Sequence, residues 1–335
     1  MKKIISILLV FILMLGVLVA CGSSSKDNTA NSTASTSPAA SVGKAVDTGS
    51  YPLTLTDSTG AQVTINKKPT AIVSLTLAVD EILYNMADKS SIKGLTYFCD
   101  DPGVSNIAQE AKNFPTKVHA DNAESIIALQ PDLVIIDSWA KKEFVQQLRD
   151  AGIPVYQYQA PDTIDKEKQL VTDIANLIGE KNRGSEIVNS MDQKLKEISD
   201  KLGALKPDEK LTVLDYSEMG STSGKNTNFD DIVTRAGLIN AAAKAGLEGW
   251  PQISKEEIVK LNPDVIVVPA WIYDKNKSTQ SIIDSLKNDK ALAGVNAVKN
   301  NRIIAPNYAH MSSTSQYAVN AVDDVAKAVY PELFK

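Results

Sequence analysis

The sequence predicts an α/β protein with two similar lobes, each a central parallel sheet flanked by helices, joined by one long backbone helix. The first observation is an internal repeat: Ala123–Trp139 (AESIIALQPDLVIIDSW) returns at Lys255–Trp271 (KEEIVKLNPDVIVVPAW), with six identical positions. The second is that each copy contains an unbroken aliphatic run, typical of a parallel strand that is buried on both faces. The third is a long amphipathic helical pattern between the two copies.

Residues 1–20 have the pattern of an export signal, because two lysines precede an apolar run over positions 4–20. The run ends in Leu18-Val19-Ala20-Cys21, which resembles the lipobox of bacterial lipoproteins. This resemblance implies cleavage before Cys21 and a lipid on its sulfur. An uncleaved transmembrane anchor is the alternative, although the run is shorter than the roughly 20 residues that cross a bilayer. Either interpretation places the folded body outside the cytoplasm, attached to the bacterial membrane.

Residues 21–50 are predicted to be a disordered tether. Between Gly22 and Ser50 there is no aromatic residue, and 17 of the 29 positions are Ser, Thr or Ala. Such a segment cannot bury enough apolar surface to fold. As a flexible coil it spans about 30 Å, which allows the folded body to reach neighbouring membrane proteins.

The composition excludes several classes of function. The formal net charge is −5 and the Lys and Arg residues are scattered, so no basic stripe is available to bind nucleic acid. Two cysteines and two histidines are too few for a zinc finger, an iron–sulfur site or a disulfide scaffold. The chain has no Walker A or GxGxxG string and no clear nucleophile elbow. An enzyme, for instance a secreted hydrolase, is therefore only a distant alternative.

The N-terminal lobe is predicted over residues 51–165 and the C-terminal lobe over residues 206–335. A strand at Ala71–Leu75 and the helix after it correspond to a strand at Leu211–Tyr216 and its following helix. This second correspondence supports two α/β lobes in tandem.

Residues 166–205 are predicted to form the connecting helices. Their helical pattern is interrupted at Gly179 and Gly184. From Asn182 to Leu205 the pattern predicts a rod of about 36 Å. A stiff helix between the lobes makes a large hinge closure unfavourable.

Several short motifs occur in the order found in a known family. They are Ile72-Val73-Ser74-Leu75, Asp80-Glu81-Ile82-Leu83, Phe98-Cys99-Asp100-Asp101-Pro102, Trp250-Pro251-Gln252-Ile253-Ser254 and Tyr330-Pro331-Glu332-Leu333-Phe334. Together with the repeat, they resemble the substrate-binding proteins of ABC importers in the helical-backbone class, which carry ferric siderophores, haem or cobalamin. The resemblance covers about residues 50–335 and implies a binding protein, not an enzyme.

The resemblance also implies that Glu124 and Glu256 dock the protein onto an ABC importer permease dimer. In the family, each lobe presents one surface glutamate to an arginine pocket of the permease, and the repeat selects the same pair. Two carboxylates separated by a stiff helix can be recognised by two guanidinium clusters. The alternative is that both are ordinary first-turn glutamates, which the helix dipole favours.

Aromatic residues near the carboxyl ends of the predicted strands are candidates for a ligand-binding cleft, because open α/β sheets bind ligands at that edge. The aromatic candidates are Tyr97, Phe98, Trp139, Tyr216, Trp250, Trp271, Tyr273 and Tyr308, and the loop residues Lys225, His310 and Met311 are further candidates. The resemblance supports Phe98 and Trp250, which match cleft positions of cobalamin-binding members. Each tryptophan could instead cover the core of its own lobe, and Lys225 could be a solvated loop residue.

The predicted cargo is an iron complex, a ferric siderophore-like chelate, which the protein delivers to the importer. A corrinoid is the second candidate and haem the third. No resident cofactor and no certain metal site are predicted, although His310 or Tyr308 could complete the shell of an incompletely chelated ferric ion. We expect His119 at the opposite rim of the cleft. The protein is expected to be a monomer, anchored outside the cytoplasm by its lipid.

Overall fold

A computed structural model describes residues 50–217, 219–274 and 276–335. The predicted signal segment, the predicted tether up to position 49 and the predicted lipidation site Cys21 lie outside the described residues. From residue 50 onward the chain forms one compact unit. No helix in this described part is both long and apolar enough to cross a membrane.

The N-terminal lobe is built on a five-stranded parallel sheet, preceded by an antiparallel hairpin of β1 (Leu53–Thr56) and β2 (Gln62–Ile65). The strands of the sheet are β3 (Ile72–Ser74), β4 (Ile92–Thr96), β5 (Lys117–Val118), β6 (Leu133–Asp137) and β7 (Val155–Tyr158). Their spatial order is β5-β4-β3-β6-β7. The helices after this hairpin are α1 (Leu77–Met86), α2 (Ala123–Ala128), α3 (Lys142–Asp150) and, after the last strand, α4 (Ile164–Ile178).

Both faces of this sheet are buried, which explains the unbroken aliphatic run in the first copy of the repeat. Leu133 and Ile135 of β6 pack into one core together with residues of α1 and α4. Val134 and Ile136 pack into a second core with residues of α2 and α3. Because side chains alternate along a strand, a strand between two helical layers needs apolar residues at every position.

The element that joins the lobes is α5 (Lys181–Leu202), which at 1.5 Å per residue is about 33 Å long. Ile187 contacts both the N-terminal core and the C-terminal core, and Met191 belongs to the latter. Gly179 ends α4 in a left-handed conformation with φ of 69°, as the sequence predicted. The predicted interruption at Gly184 is wrong, because this residue lies inside α5.

The C-terminal lobe is built on a four-stranded parallel sheet. Its strands are β8 (Thr212–Asp215), β9 (Ile239–Asn240), β10 (Val265–Val267) and β11 (Ile303–Ile304). Its helices are α6 (Asn228–Arg235), α7 (Ala241–Lys244), α8 (Lys255–Leu261), α9 (Thr279–Asn288), α10 (Asn296–Lys299), α11 (Tyr308–Met311) and α12 (Ala318–Val329). Short 3-10 turns lie at Lys89–Ser91, Pro207–Glu209 and Pro331–Phe334.

The two sheets have the same topology. The order of the second is β11-β10-β8-β9, so that β8, β9, β10 and β11 correspond to β3, β4, β6 and β7, and β5 has no counterpart among the described strands. All pairings in both sheets are parallel. The predicted α/β fold with two similar lobes is confirmed.

An aspartate shared by the two copies of the repeat ties neighbouring strands together. The Asp132 carboxylate accepts hydrogen bonds from the backbone amides of Thr70 and Ala71, just before β3. The Asp264 carboxylate accepts at 3.0 Å from the amide of Thr212, the first residue of β8, and at 2.8 Å from its hydroxyl. The identity of these two positions therefore has a structural reason.

Candidate functional site

Two cavities lie between the lobes, at the carboxyl ends of the parallel strands. Cavity A has a volume of about 570 Å³ and is lined by residues of both lobes, among them Trp139 and Trp250. Cavity B has a volume of about 720 Å³ and is lined by Tyr97 on one side and by Trp271 on the other. Open α/β sheets generally bind ligands at this edge, and the two cavities together form the cleft.

The N-terminal wall of cavity B carries three neighbouring rings, of which Tyr97 and His119 are stacked and Tyr97 and Phe98 are tilted by 34°. The Tyr97 ring lies 3.9 Å from the ring of Phe98 and 4.4 Å from the imidazole of His119, measured between centroids. Tyr97 and Phe98 directly follow β4, whose last residue is Thr96. The amide and the hydroxyl of Thr96 both donate to the buried Asp80 carboxylate on α1. These hydrogen bonds fix the strand end from which the two aromatic residues project.

Trp271 divides the cleft into its two cavities. Its ring lies 5.6 Å from the ring of Tyr308 and 6.3 Å from that of Tyr273, and all three side chains line both cavities. A β-carbon built on Gly103 of the N-terminal lobe would lie 1.9 Å from Cδ1 of Trp271. Only glycine at this position allows the indole of one lobe to lie against the backbone of the other.

Large apolar side chains are exposed at the mouth of cavity A. Trp139 is 68% exposed, Met219 80%, Trp250 63% and Tyr273 86%, and all four line that cavity. Met311 lines it from deeper in the cleft. A concentration of exposed apolar surface at the mouth of one cleft indicates a surface that a ligand covers.

Eight of the eleven residues predicted to bind the ligand line the cleft. They are Tyr97, Phe98, Trp139, Trp250, Trp271, Tyr273, Tyr308 and Met311. The structure also places His119 in the wall of cavity B, at the rim where the sequence predicted it.

The other three predicted residues lie outside both cavities. Tyr216 packs against the hydrophobic core of the C-terminal lobe. The backbone of Lys225 forms an isolated parallel β-bridge with that of Glu248, and the residue lines a separate depression on the surface. His310 has its Nδ1 atom 2.6 Å from Oδ2 of Asp324 on α12, and this contact accounts for the imidazole without any ligand. The structure therefore does not bring these three residues into the lining of either cavity.

Four carboxylates in the cleft were missed from the sequence. They are Asp121, Asp137, Asp162 and Asp215. Asp137 is the last residue of β6, and Asp215 is the last residue of β8. A signal for these two was available, because a carboxylate that ends a buried aliphatic strand lies at the ligand-binding edge of a parallel sheet.

The charged groups that line the cleft are acidic. No Lys or Arg side chain lines either cavity in the described part of the chain. Burial raises the pKa of Asp215 to about 6, although the hydroxyl of Ser223 donates to its Oδ2 at 2.5 Å. Burial also raises the pKa of Asp137. Desolvation disfavours the charged form of both groups.

The described residues contain no group of three or more His, Cys, Asp or Glu side chains that could hold a metal ion. Cys99 is fully buried, and its sulfur lies 3.1 Å from Nζ of Lys117. Tyr308 lines the cleft without such companions.

Glu124 and Glu256 occupy equivalent exposed positions in the two lobes. Each lies in the first turn of its helix, α2 or α8. Neither caps its helix: Asn122 caps α2 by accepting from the amide of Ser125, and Glu257 closes the capping box of α8. Neither has an ion-pair partner among the residues that the structure describes. Their positions therefore leave both carboxylates accessible from outside.

The chain is similar to proteins of known family. A family model described as periplasmic binding protein matches residues 72–306. An uncharacterized ABC transporter substrate-binding lipoprotein of Bacillus subtilis, YvrC, is 28% identical over 293 residues, which cover 85% of this chain and 88% of the relative. The cobalamin-binding protein of Halobacterium salinarum strain R1 is 25% identical over 285 residues, which cover 84% of this chain and 75% of the relative.

A solved structure supports the same fold. The molybdate-binding protein MolA of Haemophilus influenzae, with molybdate bound, superposes with a TM-score of 0.68 at 24% sequence identity, covering 84% of this chain and 92% of MolA. The family match spans most of the folded chain and both sheets. The protein therefore belongs to the periplasmic binding protein family, a family of substrate-binding transport proteins rather than enzymes.

Proposed function

We propose that this protein binds a metal chelate in the cleft between its lobes and delivers it unaltered to an ABC importer, and that the chelate is a ferric, siderophore-like complex. The observation that carries the proposal is the aromatic cleft, which is lined by Trp139, Trp250 and Trp271 from both lobes. Family membership supports the transport role.

The size and lining of the cleft suit a large ligand with apolar surface. The volumes of cavities A and B, about 570 and 720 Å³, fall within the range of ordinary small-molecule sites. Aromatic side chains provide large contact areas with little conformational entropy to lose. Because the described cleft residues hold no multidentate metal site, a metal that arrives already chelated fits better than a bare ion.

A corrinoid is the second candidate. It is favoured by the cobalamin-binding relative of Halobacterium salinarum and by the exposed Trp250 and Phe98, on which a large ring system could stack. Haem is the third candidate.

The delivery step involves the outer surface of both lobes. We propose that Glu124 and Glu256 contact the permease dimer, since both are exposed and neither is used as a helix cap. The N-terminal lipid on Cys21 would hold the monomeric protein near that permease outside the cytoplasm. Support for the anchor comes from the lipobox-like segment and from the lipoprotein of Bacillus subtilis.

The ligand class is tested by the visible absorption spectrum of the protein purified from its native host. A ferric charge-transfer band supports the iron chelate, a corrinoid spectrum supports the second candidate, and a Soret band supports haem. An empty protein should quench its tryptophan fluorescence in a saturable way when a ferric trihydroxamate is added. No saturable binding of any of the three classes would contradict the proposed function.

The role of the aromatic mouth is tested with Trp250→Ala. Losing one stacked aromatic residue should weaken ligand binding by about 1–3 kcal/mol, measured by fluorescence titration. Val259→Ala is the matched control, because Val259 is an exposed apolar residue that lines neither cavity. Equal affinities of the two variants would assign Trp250 to lobe packing.

A further inference from the structure

The charge of the cleft restricts which chelates it can take. Its lining includes four aspartates and, in the described part of the chain, no Lys or Arg. Of the four, Asp162 is paired with Lys166 at 2.6 Å, and Asp121 is exposed at the rim. Asp137 and Asp215 remain as carboxylates whose charge is balanced by no described cation.

These two carboxylates have room to contact a ligand. Asp215 uses Oδ2 to accept from Ser223, and Asp137 uses Oδ1 to accept from the amide of Trp139 at 3.0 Å. Oδ1 of Asp215 has no hydrogen bond to a described residue, and the Asp137 carboxylate is bonded only by the backbone amides that follow it, those of Trp139 and Ala140. Asp215 lines cavity A and Asp137 lines cavity B. Each cavity therefore has one carboxylate that can accept a hydrogen bond from a bound ligand.

Three arginines and one lysine of the described chain are engaged away from the cleft. Arg149 pairs with Asp57 at 2.7 Å, and Arg235 pairs with Asp231 at 2.9 Å. Arg183 donates to the backbone oxygen of Asn85. Lys117, the cation nearest to the aromatic wall of cavity B in sequence, pairs with Asp100 at 2.9 Å. None of these side chains lines cavity A or B.

We infer that the cleft selects chelates with no net negative charge, either neutral or cationic, and rejects anionic ones. This inference rests on the proposed function and narrows its substrate class. An anionic ligand would lose part of its hydration in the cleft and would lie beside two carboxylates that no cation among the described residues offsets. Both the desolvation and the repulsion are unfavourable. A neutral or cationic complex avoids that repulsion, and its hydrogen-bond donors can be accepted by the two carboxylates.

The net charge of a chelate then decides whether the cleft binds it. The ferric trihydroxamate core is neutral, because three hydroxamates balance Fe³⁺, so complexes without acidic substituents are accepted, as are corrinoids without net negative charge. Tricatecholate iron complexes, haem with its two propionates, and oxyanions such as the molybdate bound by MolA are all anionic and are rejected. The aromatic lining alone would not discriminate among the large ligands in these groups.

The test uses three probes that share one ferric trihydroxamate core and carry different charges on the terminal group. Ferric desferrioxamine B carries one positive charge on its terminal amine, its N-acetyl derivative is neutral, and its N-succinyl derivative carries one negative charge, while the ferric trihydroxamate core is the same. Dissociation constants are measured for the full chain at pH 8 by fluorescence titration. We expect the anionic probe to bind about tenfold or more weakly than the cationic one, with the neutral probe between or equal to the cation.

Two variants test whether Asp137 and Asp215 cause the difference in affinity between the cationic and the anionic probe. In Asp137→Asn/Asp215→Asn the affinities for the cationic and anionic probes should approach each other. Asp150→Asn, which removes an exposed carboxylate on α3 outside the cleft, should preserve the wild-type ratio. Thermal unfolding of each variant reports whether the fold is retained, and Asp215→Asn alone provides a milder change if the double variant is unstable.

The possible failures are distinguishable. An anionic probe that binds as tightly as the cationic one, or a charge ratio unchanged by the aspartate substitutions in a folded variant, would overturn the inference and leave the proposed function standing. Absence of binding for all three probes would overturn the proposed ferric-chelate function and this inference with it.

Discussion

A single buried residue, Asp80, positions the N-terminal wall of the cleft. Its side chain on α1 is completely buried and accepts from the amide and hydroxyl of Thr96, the residue before the aromatic pair. Burial raises the pKa of Asp80 to about 7, because desolvation outweighs these hydrogen bonds. The strand end that carries Tyr97 and Phe98 is therefore hydrogen-bonded to a carboxylate whose ionisation is unfavourable in the folded protein.

The stability of the protein should fall as the pH rises from 5 to 8. A carboxyl group with a pKa of about 7 when folded and 3.8 when unfolded favours the folded state while it is protonated, and this contribution is lost as the pH approaches 7. At about 1.4 kcal/mol per pH unit, Asp80 accounts for about 2–3 kcal/mol of that fall. Burial raises the pKa values of Glu81 and Glu167 as well, in the same direction.

Urea unfolding of the wild type and of Asp80→Asn between pH 5 and 8 checks this prediction. The variant should have a shallower dependence of the free energy of unfolding on pH. Asp57 and Asp264 have lowered pKa values, so the stability they contribute is lost only at a pH below about 4 and does not enter this range. A stability that rises with pH, or an unchanged dependence in the variant, would contradict the assignment.

The sequence identified the aromatic side of the cleft better than its polar side. Trp271 could be found because the repeat places it just beyond a buried strand. Tyr216 directly follows Asp215 and packs against the core of the C-terminal lobe, because successive side chains point to opposite faces of a sheet. A sequence shows that a strand ends near a position but not which neighbour faces the cleft. The partner of His310 could not be found either, because Asp324 lies on another helix.

At the scale of elements, the crossing of α4 and α5 determines how the backbone helix meets the N-terminal lobe. A β-carbon built on Gly184 would lie 2.4 Å from the β-carbon of Ala175. The two helices approach so closely there because neither has a larger side chain at the contact. The sequence predicts that Gly184 interrupts a helix. In the structure this glycine instead allows α5 to pack closely against Ala175 of α4, a contact that the local sequence around Gly184 does not reveal.

Gly184→Ala should destabilise the protein, although alanine is the better helix former by about 1 kcal/mol. Overpacking two rigid β-carbons costs about 1–3 kcal/mol or more, so we expect a net loss of about 1–2 kcal/mol in urea unfolding. Adding Ala175→Gly should restore part of it by reopening the space. Ser185→Ala, an exposed neighbour on the same helix, is the control and should have little effect. A stabilising Gly184→Ala would mean that the crossing can relax.

At the scale of the whole molecule, the lobes are joined by more than α5. The carboxylate of Glu81, buried on α1 of the N-terminal lobe, accepts from the hydroxyls of Ser313 and Ser315 in the segment before α12. It also accepts from the amide of Asn106, whose side chain donates to the backbone oxygen of Ala309. These buried contacts between lobes, together with Trp271 against Gly103, favour a fixed spacing between the two halves.

A fixed spacing makes Glu124 and Glu256 a pair whose separation a permease could recognise. Changing both to Ala should reduce uptake of the chelate at least about tenfold, because two charge-assisted contacts to the permease are lost, while ligand affinity of the purified protein stays unchanged. Uptake is measured with radiolabelled iron chelate in cells that carry each variant. Glu143→Ala, which removes an exposed first-turn glutamate of α3, should transport normally. A loss of ligand affinity in the double variant, or normal uptake by it, would exclude docking as the role of the pair.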